Sequence, residues 1–168
     1  MKIFAVRGPF YVHLEPNAGG KMVAKNLDAF WDEVGEHRHD VGVYVFAIKA
    51  GKGYTPVYVG KTATQSFEYE AFTATNRANH YNPALLGYKK GLPVLFLIIH
   101  PKGKGKTNRR AIDQVETFFI DVASIKNGGL SNVKKRKQHK WRVSGVVRAK
   151  PGEGRATAAQ ELRRALGL

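Results

Sequence analysis

The chain has 168 residues, carries 28 Lys and Arg against 13 Asp and Glu, and holds no cysteine. That length suits one compact domain, and a 43% hydrophobic content excludes wholesale disorder. The lack of cysteine excludes a disulfide scaffold, a thiol nucleophile and thiolate zinc ligands, while the net charge of +15 points to a polyanionic partner.

The elements follow in chain order. Residues 1–14 read as an extended segment anchored by Ile3, Phe4, Val6, Phe10, Tyr11 and Val12. An Arg and a Gly interrupt this stretch where a signal peptide needs unbroken apolar residues, so a cytoplasmic protein is expected. Pro16 and Gly19–Gly20 make a turn. Residues 22–35 are predicted to be an amphipathic helix, with Val23, Leu27, Phe30, Trp31 and Val34 at spacings of three and four and Gly35 ending it. Its acids Asp28, Asp32, Glu33 and Glu36 make this the face turned away from a polyanion. His37 and His39 lie near Asp40 but complete no zinc ligand set, and read as a solvated loop.

Residues 42–48 and 56–60 are β-type runs joined by a glycine-rich turn, which is a hairpin. Residues 65–81 read as largely helical until Pro83 interrupts, with a further helical turn or two over 84–90. LPVLFLIIH (92–100) is nearly all apolar and is predicted to be a central, buried strand. Residues 101–107 form a basic glycine loop. Residues 108–125 carry the clearest helical stripe, Ile112, Val115, Phe119, Ile120 and Ala123, and Asn127, Gly128 and Gly129 close it. Residues 133–150 suggest a basic strand or hairpin, PGEG (151–154) a turn, and the last dozen residues a short helix. No run of eighteen apolar residues exists to span a bilayer, so no membrane partner is expected. The sum is an α/β (α+β) domain with a small mixed or antiparallel sheet flanked by helices, not a dinucleotide-binding fold.

Charge is concentrated. Residues 101–150 hold 14 Lys and Arg and only three Asp and Glu. Lys104, Lys106 and Arg109 cluster around the glycine loop, and Lys134, Lys135, Arg136, Lys137, Lys140 and Arg142 surround Trp141. Lys and Arg with one aromatic fit phosphate contacts plus base stacking, so nucleic acid is the expected partner.

The candidate chemistry starts in the hairpin. Tyr44 and Tyr58 are equidistant from Gly51, which would set the two phenols opposite each other. Gly60 permits close backbone approach and Lys61 follows it. If 65–81 is helical, Arg77, His80 and Tyr81 share a face. Glu116 interrupts an apolar stripe, which is costly unless it is paired, with Arg109 or Arg110, or binds a metal.

Taken in order, these residues resemble the GIY-YIG nuclease family. Gly42-Val43-Tyr44 is similar to the first half of that signature and Tyr58-Val59-Gly60 to the second, followed by Lys61. Arg77, Glu116 and Asn132 match the family's later arginine, metal-binding glutamate and asparagine. The resemblance covers about residues 41–136, leaving 1–40 and 137–168 as extensions of a single domain. It implies a metal-dependent endonuclease that hydrolyses DNA. Glu116 would bind Mg²⁺ or Mn²⁺, with water completing the shell. Lys61 and Arg77 would hold the phosphate. Tyr44 or Tyr58 would be the general base if its pKa were lowered by a metal or by a lysine, with His80 as the alternative base. Asn132 would tie down its loop. The other expectation is a nucleic-acid-binding module with this fold and no chemistry.

Overall fold

A computed structural model describes residues 2–14, 19, 21–22, 27–88, 91–103, 106–127, 129–131, 141–146 and 157–168. The chain forms a five-stranded sheet. Its strands are β1 (Lys2–Tyr11), β2 (Gly42–Ala50), β3 (Gly53–Thr62), β4 (Leu92–Ile99) and β5 (Trp141–Val143), in the spatial order β3-β2-β4-β1-β5. The first four pair antiparallel, and β5 adds in parallel to β1. This is the expected α+β architecture with a mixed sheet.

Helices cover both faces, which is why β2 up to Ile48 and β4 run apolar through successive positions rather than at alternate ones. On one face Val43, Val45, Ala47, Val94, Phe96 and Ile98 pack against α5 (Arg109–Lys126) and α6 (Thr157–Leu166). On the other, Tyr44, Phe46, Ile48, Leu95, Leu97 and Ile99 meet α1 (Leu27–Val34), α2 (Phe67–Glu70), α3 (Ala74–Asn76) and α4 (Asn82–Gly87). The Ile112, Val115, Phe119, Ile120 and Ala123 stripe of α5 is fully buried. Asn108 caps that helix by accepting a bond from the Ala111 amide. Among the described residues no helix is long and apolar enough to cross a membrane.

Several expectations need correction. The strand expected in residues 1–14 lies inside the sheet rather than beside it, because β1 pairs with β4 and buries Phe4 and Val6. Met22 lies outside the helix predicted from it; its amide donates to Asn82 Oδ1 (2.8 Å), and α1 is described from Leu27. Gly35 ends α1 with φ +64, and a 3-10 turn over Gly35–His39 follows. Of the two histidines there, His39 is solvent-exposed as expected, while His37 is held by a carboxylate. Asp40 is buried and His37 Nδ1 lies 3.0 Å from its Oδ2. Pro83 does not break the helical stretch. It sits in the first turn of α4, where an amide hydrogen has no helical partner to lose. Between α3 and α4 the chain forms a π turn, Arg77–Tyr81.

Candidate active site

The hairpin register differs from the sequence expectation. Near its turn Ala47 faces Pro56, but beyond a bulge Phe46 faces Tyr58 and Tyr44 faces Gly60. The turn is centred between Gly51 and Lys52 rather than on Gly51, which shifts the register by one, and one extra residue in β3 shifts it by one more. The phenols are not opposite. They are diagonal neighbours on one face, with ring centroids 6.2 Å apart. The Tyr44 ring instead lies across β3 at Gly60, where a Cβ would collide with its Cζ and hydroxyl. Gly42 has a matching reason. Its φ is +153 and a Cβ would overlap the Ile98 carbonyl, so a side chain fits neither its backbone nor its space.

Around this crossing the side chains converge. Asn76 donates from Nδ2 to the Tyr44 hydroxyl (3.0 Å) and to the Glu70 carbonyl (2.9 Å). His80 stacks on Tyr58 at 4.2 Å and 19°, and its Nδ1 lies 2.5 Å from Ser131 Oγ. Tyr81 is core rather than site. Its ring stacks on Phe46 at 4.1 Å and its hydroxyl donates to the Ala71 carbonyl. Arg77 shares the π turn with His80, and its buried Nε has no partner among the described residues. Such local unwinding is frequent at functional sites.

The carboxylate side comes from α5. Lys61 Nζ bridges Asp113 Oδ1 (2.7 Å) and Glu116 Oε2 (2.9 Å). Glu116 is buried and Asp113 half-exposed. Glu116 thus pairs with Lys61, not with Arg109 or Arg110, both of which are exposed. Asp113 is one helical turn before Glu116, a spacing that could have flagged it. Asn76 and Ser131 carried no comparable signal.

The electrostatics run against a low-pKa phenol. Burial, with the nearby Tyr58, pushes Tyr44 well up, against the Asn76 amide that favours its anion. Burial also raises Tyr58, and Glu116 adds to it. Among the described residues neither phenol is paired with a lysine, and the Lys61 ammonium sits on the two carboxylates. Burial lowers His80 instead, so its imidazole is uncharged at neutral pH.

Glu116 and Asp113 are the carboxylates here that could hold a divalent cation, and the Lys61 ammonium bridges them in this structure. Among the described residues no cluster of three or more His, Cys, Asp or Glu exists to enclose a metal. Lys106 and Arg109 are exposed around the start of α5. Asn132, Lys104, Lys134, Lys135, Arg136, Lys137 and Lys140 lie outside the described residues, as do the side chains of Trp141 and Arg142, whose backbone forms β5. Compared with known proteins, the chain matches no family model, no curated protein and no solved structure.

Proposed function

We propose that this protein is a metal-dependent endonuclease of the GIY-YIG type that hydrolyses phosphodiester bonds in DNA. The observation that carries this reading is the meeting of two groups at β3: Tyr44, Tyr58 and His80 on one face and Lys61 with Glu116 toward α5, the Glu116 charge reaching Tyr58. Mg²⁺ bound at Glu116 would supply charge neutralisation for the phosphate and the leaving oxygen. Arg77, with its unpartnered Nε, and Lys61 hold the phosphate oxygens. Of the candidate bases, His80 suits neutral pH best, because its uncharged ring accepts a proton that the two protonated phenols cannot. It takes the proton of the attacking water as the new P–O bond forms. The 3′ oxygen leaves with the old bond's electrons. The phenols then act as hydrogen-bond donors to the water or the phosphate.

The second reading is a nucleic-acid-binding module without turnover. It is favoured by the lysine seated on Glu116 and by the raised phenols. A plasmid-nicking assay with Mg²⁺, Mn²⁺ or EDTA separates the two. Metal-dependent nicking that disappears in Glu116→Gln, with folding confirmed by circular dichroism, supports the nuclease. Salt-sensitive binding with no nicking under any ion refutes it in favour of the module.

A further inference from the structure

A second cleft opens beside the proposed site. It has a volume of about 250 Å³ and is lined by Lys2, His39, His100, Lys102, Lys106 and Thr107, with Asp40 in its wall. We propose that this cleft binds a backbone phosphate of the same nucleic acid, a few nucleotides from the reacting one; this rests on the nucleic-acid partner proposed above.

Three features support it. The first is charge. The one carboxylate of the cleft is already answered: Asp40 lies 2.8 Å from Lys102 Nζ and 3.0 Å from His37 Nδ1. Among the described residues no carboxylate is paired with Lys2 or Lys106, and both residues are exposed. The Lys2 charge reaches far enough into the cleft to hold down the His100 pKa, after burial itself. The second is construction. His100 is buried, sits edge-on to Phe4 at 5.5 Å, and accepts from the Asn108 amide through Nε2. This fixed ring makes a rigid floor. Two opening amides of α5 are spent, Ala111 on the Asn108 side chain and Arg109 on the Thr107 carbonyl, and the proposed attraction comes from the lysine side chains.

The third feature is position. The cleft lies where β2 and β4 end, and Thr62 at the end of β3 is two strands from Ile99 at the end of β4. Two strand spacings are about 10 Å. Along α5, Arg109 to Glu116 is seven residues, again about 10 Å. One strand of duplex carries a charge every ~3.4 Å of axis, so that separation matches about three phosphates. A phosphate held there would fix the direction in which a strand crosses the site.

The test uses the full chain in EDTA, which prevents cleavage, with a fluorescein-labelled DNA duplex and a KCl series. Losing one phosphate contact lowers the slope of log Kd against log[KCl] by ~0.9. Lys2→Met with Lys106→Met should lower it by that amount or up to twice it. Inorganic phosphate, added to the wild type alone, should shift the His100 ring resonances, and the shift should vanish in the double variant. An unchanged slope overturns the proposal. A phosphate-induced shift with an unchanged slope also overturns it, because the cleft then takes free phosphate and not the backbone. A lowered slope in a protein that never nicks DNA leaves the cleft standing and removes only the nuclease reading.

Discussion

Gly60 has no side chain because the Tyr44 ring occupies the space where one would sit. Gly60→Ala should therefore displace that ring and cost about 1–3 kcal/mol, the usual range for overpacking. Urea denaturation gives the difference directly, and an unchanged midpoint would contradict the crossing. The base is testable by pH. With His80 as base, activity is lost as the ring protonates, and burial moves that event below the ordinary histidine value of about 6.5. A kcat/KM profile level from about pH 7 upward is expected. A rate still climbing toward pH 10 would identify a tyrosine instead. The site was half legible at this scale. Tyr44, Tyr58, Lys61, His80 and Glu116 stood out by residue type and order. The Asn76 bond to Tyr44 did not, because an asparagine in a polar helical stretch has many ordinary explanations.

The strands and helices were readable for a simple reason. Full burial of β2 and β4 and the stripe of α5 leave strong apolar patterns. The hairpin register was not readable, since a single bulged residue in β3 has no compositional mark. Nor was the partner of Glu116. It lies across an element boundary, on β3, while the arginines in sequence reach sit at the start of the same helix. That link between β3 and α5 gives a prediction. Removing the ammonium in Lys61→Met should destabilise the protein by about 1–3 kcal/mol, less than a wholly buried pair because Lys61 is 35% exposed. Millimolar Mg²⁺ should restore more stability to this variant than to the wild type, as read by thermal melts with Mg²⁺ and with EDTA. Equal shifts in both proteins would count against Glu116 as a cation ligand.

At the scale of the molecule, the resemblance spans about residues 41–136, but the cooperative unit is larger. β1 covers the outer edge of β4, and α6 adds Leu162, Ala165 and Leu166 to the core. A fragment of residues 41–136 should show no cooperative thermal transition by circular dichroism, and a sharp melt would show those flanks to be dispensable. The buried tyrosines give a second global signature. Tyr44, Tyr54, Tyr58 and Tyr81 all have folded pKa values raised above 10, chiefly by burial. The folded state therefore holds protons that the unfolded chain releases, so their contribution is complete below about pH 10 and is lost as pH rises beyond it. Stability measured by urea from pH 8 to 11.5 should fall at the upper end, less steeply in Tyr44→Phe.

The place of β1 between β4 and β5 has a consequence for biosynthesis. Ala5 pairs with Ile99 and Phe4 with Val143, so β1 leaves the ribosome well before either of its neighbours. At translation rates of about 5–20 residues per second, the β4 partner trails by roughly 5–20 s. During that interval Phe4 and Val6 are exposed on a nascent chain, a natural handle for a holding chaperone. By the time β1 has docked, residue 99 has been made, and the hairpin that carries Tyr44 and Tyr58 is already available beside it.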